Sequence, residues 1–346
     1  MPPKRVTLRD IAERADVHVT TVSLAMRNSP SLLPETRKRI QKLAKEMGYS
    51  PDPALSALQA YRRINHVKKS NLGIAYLSFN PTNDWKQVGP SHFEIYSGCQ
   101  KRCEELGYHM ELIWVKDPRL TTKRLTSILR TRNPAGLVLS ARHGGRGHFR
   151  LNLDNYSAVR VDQGLVHPRL HAVSNNQFQI AQLAVRKAYH LGYRRVGLAL
   201  MSTFNEQVNC FWSGGFWSEQ QKKKAEQWVV PHLPSKWGKE PFVRWFEDQR
   251  PDVVISNHAD NTIPQWLNEI GLRIPEDVGF IQLSMTDTKS KCAGVMENNL
   301  SLGRTIIDKL VAVIHRNERG IPECPELTLI DGTWIDGDTV QSKANR

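Results

Sequence analysis

Thr7-Leu8-Arg9-Asp10-Ile11-Ala12-Glu13-Arg14-Ala15-Asp16-Val17-His18-Val19-Thr20-Thr21-Val22-Ser23-Leu24 decides how the rest of this chain is read. Thr7 followed three residues later by Asp10 is a capping-box variant, a hydroxyl and a carboxylate that together satisfy the free N–H groups opening a helix. Leu8, Ile11, Ala12 and Ala15 then recur at the spacing of one helical face. Asp16-Val17-His18 reads as a short turn. A second helix follows, about His18 to Arg27, with Val22 and Met26 facing inward. That leaves Val19, Thr20, Ser23, Leu24 and Arg27 on the outer side. Small hydroxyls and modest apolar groups on an exposed helix can meet base edges and thymine methyls, and a helix-turn-helix unit places such a helix in the major groove. Three-helix units that do not bind DNA share this pattern, so the pattern alone leaves both readings open.

Working outward, Asn28-Ser29-Pro30-Ser31 has loop chemistry. Pro34 suits the first position of a third helix, whose stripe is Ile40, Leu43, Ala44 and Met47 and whose end is Gly48. Charge points the same way. Of 346 residues, 48 are Lys or Arg and 34 are Asp or Glu, a net of +14. Residues 1–70 hold 14 of the cations and 6 of the anions, so +8 of that excess lies in the first fifth of the chain. A basic module on a nearly balanced body suggests a polyanion partner. The composition, 40% hydrophobic and 24% charged, is that of a folded chain long enough for two or three domains. No apolar run approaches the roughly 18 residues of a membrane helix. The start, Met1-Pro2-Pro3-Lys4-Arg5, has no signal-peptide core. Five scattered cysteines do not form a disulfide framework. The expected location is the bacterial cytoplasm, at the nucleoid.

The runs Val6-Thr7-Leu8-Arg9-Asp10-Ile11-Ala12, Val17-His18-Val19-Thr20-Thr21-Val22-Ser23, Glu35-Thr36-Arg37 and Leu43-Ala44-Lys45-Glu46-Met47-Gly48-Tyr49-Ser50-Pro51, in this order and spacing, resemble the headpiece of the lac repressor (LacI/GalR) family. The resemblance implies base reading by Val19, Thr20 and Leu24, and phosphate contacts by Thr7, Thr21, Ser23 and Arg27. His18 stands where the family usually has a Ser cap, and Leu33 precedes Pro34 where Ser is common. Leu24 replaces a frequent Arg or Lys, which removes a bidentate guanine contact and implies a different operator. After Pro51-Asp52-Pro53, the segment Ala54 to Ala60 is too short for a stable isolated helix. By resemblance it is a hinge that folds on DNA, pairs with its twin and wedges Leu58 into the minor groove. The boundaries expected are a headpiece at 1–50, a hinge helix and linker at 51–70, and a core at 71–346.

The core alternates apolar strands with helices. Strands are expected at 72–77, 109–115, 136–139, 196–200, 253–255 and 278–281, with a helix over 91–106. Such alternation implies parallel α/β sheets covered on both faces, and there are strands enough for two lobes. Sheets of this kind bind ligands at the carboxyl ends of their strands. Leu191-Gly192-Tyr193, Pro251-Asp252-Val253-Val254, Ile274-Pro275-Glu276-Asp277-Val278 and Asp331-Gly332-Thr333-Trp334 resemble the family's effector-binding core, which is similar to periplasmic sugar-binding proteins. Three familiar charged anchors are missing. Trp212 stands where an Arg often precedes a Gly-aromatic pair, Gln282-Leu283-Ser284-Met285 replaces Gly-Phe-Asp-Asp, and Ser174-Asn175-Asn176 replaces Val-Asp-Asn. The effector-binding candidates are Phe93, Asn175, Trp212, Asn257, Asp260 and Ser284, with core packing the competing reading for each aromatic.

No catalytic constellation, metal-ligand cluster or cofactor motif stands out, so no catalytic residue, metal or cofactor is expected. Cys99 and Cys103 read as core thiols, and the Gly-rich basic stretch Ser140 to His148 as a surface loop. The expectation is a sequence-specific regulator, a repressor, that binds a palindromic operator as a homodimer under control of a small effector, by family default a sugar or related metabolite. A dimer is expected because Gly337 to Arg346 shows no Leu heptad. The alternatives are an architectural DNA binder with little sequence preference and a stand-alone sugar-binding protein.

Overall fold

A computed structural model describes residues 6–29, 31–49, 73–142, 145–257, 262–287 and 291–343. The expected hinge with Leu58, and the effector candidate Asp260, lie outside the described residues. The first three helices are α1 (Leu8–Ala15), α2 (Val19–Met26) and α3 (Pro34–Glu46). Each buries a short stripe into one small core of Ile11, Ala12, Ala15, Val22, Ala25, Ile40 and Ala44. Two local details differ from expectation. The inner partner of Val22 is Ala25, while Met26 packs only at the rim; on so short a helix the i+3 residue lies nearer the centre of the stripe. His18 itself caps α2, its side chain accepting the backbone N–H of Thr20. Leu33 provides no such cap for α3, whose start rests on Pro34 at the first position.

The remainder is two α/β lobes. The first sheet comprises β1 (Gly73–Ser78), β2 (His109–Trp114), β3 (Gly136–Leu139), β5 (Ser157–Val161), β7 (His171–Asn175) and β12 (Leu327–Ile330), in the order β12-β7-β5-β3-β1-β2. All its pairings are parallel. The second sheet comprises β8 (Val196–Leu198), β9 (Val253–Ser256), β10 (Gly279–Met285), β11 (Ala293–Met296) and β13 (Thr333–Ile335), in the order β13-β11-β10-β9-β8. Only β13 runs antiparallel to its neighbour. A small ladder pairs β4 (Gly147–His148) with β6 (Leu165–His167). The glycine-rich stretch is therefore not wholly a surface loop: Ser140 and Ala141 are buried and Gly147–His148 is paired.

Helices α4 (Pro90–Glu105) and α5 (Thr122–Arg132) cover the first lobe, and α6 (Gln177–His190), α7 (Ser202–Gln207), α8 (Phe211–Gln220), α9 (Lys239–Gln249) and α10 (Thr262–Glu269) belong to the second. Helix α11 (Asn299–His315) returns to the first lobe and lies against α4. Glycine sets that contact. A Cβ on Gly303 would stand 2.2 Å from the Ile95 carbonyl oxygen, and one on Gly98 would stand 2.3 Å from that of Leu300. The two backbones touch because neither residue has a side chain. Cys99 and Cys103 are buried beside this crossing, and burial pushes both thiols up, Cys103 to about 12. Both behave as core groups.

The chain passes between lobes three times, after β7, after β11 and after β12. The crossings are tied to one another. The Asn176 amide donates to the Asp331 carboxylate at 2.7 Å, and the Asn298 amide to the Asp331 carbonyl at 2.6 Å. The backbone N–H of Asn176 donates to the Ile330 carbonyl at 2.7 Å. No helix among the described residues is long and apolar enough to cross a membrane.

Candidate functional site

Two places on the molecule combine exposed or cavity-facing polar groups with a defined frame. The first is the outer face of α2. Val22 and Ala25 anchor the helix, so Val19, at 36% exposure, and Thr20 point away from the core. Leu24, Thr21 and Ser23 are half-buried. Thr20 is held by the cap, its Oγ1 lying 2.7 Å from His18 Nδ1. Arg27 folds back along the helix, donating from Nε to the Ser23 carbonyl at 3.0 Å and from Nη2 to Ser23 Oγ at 2.5 Å. Thr7 completes the capping box of α1: its N–H donates to Asp10 Oδ2 at 2.7 Å and its hydroxyl accepts the Asp10 N–H. The structure thus brings Ser23 and Arg27 together on one helix and sets Thr7 at the opening of another, where free N–H groups and the helix dipole favour an anion.

The second place is a cavity of about 140 Å³ between the lobes, lined in part by Ser91, Asp162, Asn175, Trp212, Ser284 and Asn299. The crossing segments build it. Asn175 ends β7, Gln177 opens α6, Glu297 follows β11 and Asn299 opens α11. Helices α7 and α8 contribute Phe204, Gln207 and Trp212. Two lining residues hold left-handed backbone, Asp162 at φ 64° and Ser284 at φ 59°, an arrangement costly for a non-glycine residue and concentrated at functional sites. At Ser284 the register of β10 against β11 shifts between Gln282 and Met285, a bulge that re-aims the side chain.

Hydrogen bonds order the lining. Trp212 Nε1 donates to Gln177 Oε1 at 2.6 Å, and Gln177 Nε2 donates to Glu297 Oε1 at 2.7 Å. Asn299 Nδ2 donates to Glu94 at 3.1 Å, and Asn175 Nδ2 to Asn299 Oδ1 at 2.9 Å. Ser174 Oγ donates to Asp162 Oδ1 at 2.5 Å. Burial pushes the Glu297 carboxyl up to about 7, against the partial relief of the Gln177 amide. Burial also raises Asp162, which the Ser174 hydroxyl and the Gln163 N–H partly counter. Among the described residues no group of three His, Cys, Asp or Glu side chains could hold a metal ion.

Of the effector candidates, Asn175, Trp212 and Ser284 meet at this cavity. Trp212 answers both readings of it at once, packing in the core of the second lobe and lining the cleft. Phe93 stands on α4 at 47% exposure and does not line the cavity, and neither does Asn257, which follows β9. Sequence reasoning missed Asp162, Gln177, Glu297 and Asn299. Only Gln177 had a usable signal, adjoining the Ser174-Asn175-Asn176 run already singled out.

Residues 7–52 match the model of a family described as bacterial regulatory proteins, lacI family. The chain is similar to the HTH-type transcriptional regulator KdgR of Bacillus subtilis (strain 168), 23% identical over 336 residues that cover 93% of this chain and 94% of the relative. Among solved structures it superposes on the lac repressor dimer bound to operator and the anti-inducer ONPF, with TM-score 0.57, 16% identity, and coverage of 98% of this chain and 100% of that one. It also superposes on a complex of the transcriptional regulator CelR with cellobiose, with TM-score 0.58, 17% identity, and coverage of 97% and 100%. At these identities the structural likeness carries the fold.

Proposed function

We propose, from the match of residues 7–52 to the lacI family of bacterial regulatory proteins and the likeness to KdgR along most of the chain, that the protein is a sequence-specific transcriptional repressor of the bacterial cytoplasm and not an enzyme. It works as a homodimer on a palindromic operator and is controlled by a small polar effector in the cleft. The observation that carries this reading is the outer face of α2, where Val19 and Thr20 stand clear of a core complete without them. Such a face has no stabilising task in the headpiece and is free to read bases. Thr7, Thr21, Ser23 and Arg27 supply phosphate contacts, Leu24 an apolar contact, and Leu58 the minor-groove wedge. The headpiece is 1–50, the hinge 51–70 and the core 71–346. Cellobiose in the CelR complex supports a sugar or related metabolite as the effector class. Effector binding acts where the three crossings meet, so a change in lobe angle there is transmitted toward the hinge as an allosteric coupling between two sites.

Footprinting on fragments of the parent genome tests the reading. A short palindromic protected site is expected. Uniform protection would favour the architectural DNA binder, and no protection would favour a stand-alone binding protein. Operator affinity should fall steeply with added salt as phosphate contacts release counterions.

A further inference from the structure

We propose that the cleft takes a small polyhydroxylated amine in its protonated form, of the amino sugar class, and rejects phosphorylated and carboxylated sugars. The proposal rests on the effector reading above and names the chemistry of its ligand. It stands on the direction of two hydrogen-bond chains in the cavity wall and on the charge of its lining.

Asn299 must point its Nδ2 at the Glu94 carboxylate, since only the amide nitrogen can donate. Its Oδ1 therefore faces Asn175, which must donate from Nδ2. That fixes Asn175 with its Oδ1 turned the other way. The residue is 4% exposed, and this oxygen is buried without a hydrogen-bond partner among the described residues. The second chain is fixed in the same manner. Trp212 Nε1 can only donate, so Gln177 presents Oε1 to it and Nε2 to Glu297. Both chains spend their donors inside the wall. Burying an acceptor without a partner is costly, so the site is built for a donor to arrive.

Charge agrees with this polarity. The ionisable groups that line the cavity are Asp162 and Glu297, and no Lys, Arg or His lines it among the described residues. The position where the family resemblance led us to expect Arg is Trp212. Arg160, the cation that acts on Asp162, donates from Nη1 to the carbonyls of Asp162 and Leu165 and is committed to the backbone. Burial is the main upward push on both carboxyls, and at Glu297 the Asp162 charge adds to it, a repulsion between two carboxylates in one cavity. A ligand ammonium relieves that repulsion and supplies three donors. Trp212 and Phe204 line the α7–α8 side and add aromatic rings, groups that attract a cation. An anionic ligand meets the same carboxylates at close range with no cation to offset them.

The test uses the full-length protein and a matched panel: glucosamine, galactosamine and mannosamine, their parent hexoses, the hexose 6-phosphates and the hexuronates. Thermal shift ranks the panel and calorimetry gives affinities. At least one amino sugar should bind about tenfold or more tighter than its parent hexose, a decade of affinity being a clear margin, and the anions should give no shift. Glu297→Gln keeps shape and should abolish that preference, with circular dichroism and operator binding checking the fold. Below about pH 7, where the ligand keeps its ammonium, amine binding should weaken as pH falls, because Glu297 takes up its proton there. The groups facing it are Asp162, Gln177, Ser284 and Asn299, with Glu94 and Arg160 the charges behind them. Preferential binding of a parent hexose or an anion overturns the amine class while leaving the effector reading intact. Silence from the whole panel, with operator affinity unmoved by any member, overturns both. A Glu297→Gln protein that keeps the amine preference overturns the assignment of charge.

Discussion

The outer face of α2 and the wall of the inter-lobe cavity, the two sites assigned to partners in the proposed function, are assembled in opposite ways. The α2 face comes from eight consecutive residues oriented by two buried anchors, Val22 and Ala25. Its polar groups are satisfied locally: Thr20 by His18, and Arg27 by Ser23. The cavity wall draws on residues from 91 to 302. Its hydrogen bonds span 120 residues between Gln177 and Glu297 and 205 between Glu94 and Asn299. A local face can be redesigned one residue at a time without disturbing its frame. A wall shared among three chain crossings couples whatever binds there to the angle between lobes. Under the proposed function, the first kind of surface suits reading and the second suits switching.

Four experiments would break or sharpen that contrast. The largest effect is expected from Ile40→Ala. Ile40 is fully buried at the centre of the headpiece core. Its truncation should cost about 2–5 kcal/mol, enough to unfold so small a unit. Operator binding measured by gel shift should vanish while ligand binding to the core persists; joint loss would show that the regions are not independent. Gly303→Ala should come next. The new methyl must displace the Ile95 carbonyl from 2.2 Å, and overpacking of this kind costs about 1–3 kcal/mol. Calorimetry should show the core melting earlier, with the headpiece transition unmoved.

Thr20→Ala should be smaller. It removes an outward hydroxyl, and a single base contact is worth about 1–3 kcal/mol of discrimination at most. The expected signature, read by selection from random duplexes, is relaxed preference at one position of each half-site. A uniform weakening would make Thr20 a phosphate contact. The smallest and most diagnostic effect concerns pH. Glu297 is raised in the folded protein to about 7, so between its ordinary carboxylate range and about 7 the folded state holds a proton that the unfolded state has lost. Core stability should therefore fall as pH rises through that window and level off above it. The Glu297→Gln protein should lose that part of the slope, as denaturant titrations across pH would show. An unchanged slope would place its origin elsewhere.

The headpiece was legible because its signals are short-range. The capping box of Thr7 and Asp10, the 3.6-residue stripe of α1 and Pro34 at the start of α3 all report on neighbours within a turn or two. The one misplacement there, Met26 for Ala25, came from a stripe too short to average over. Strands β1, β2, β3, β8, β9 and β10 were legible from apolar runs. By contrast β7, His171–Asn175, is wholly buried yet reads His-Ala-Val-Ser-Asn, because the His171 ring and the Asn175 amide nitrogen find partners as far away as Glu318 and Asn299. The same blindness hid Asp162 and Glu297, which in sequence look like any surface carboxylates.

By itself the sequence determined a three-helix basic headpiece with Val19, Thr20 and Leu24 turned outward, a two-lobed α/β core, and the loss of the familiar charged anchors of the cleft. The tertiary structure alone decided what gathered around Trp212 in their place: two carboxylates and an unpartnered amide oxygen at three chain crossings. Helical periodicity acts over a few residues and is written in the sequence. The polarity of a cavity depends on which distant groups are left to face one another once the lobes close, and on which of their hydrogen bonds are already spent.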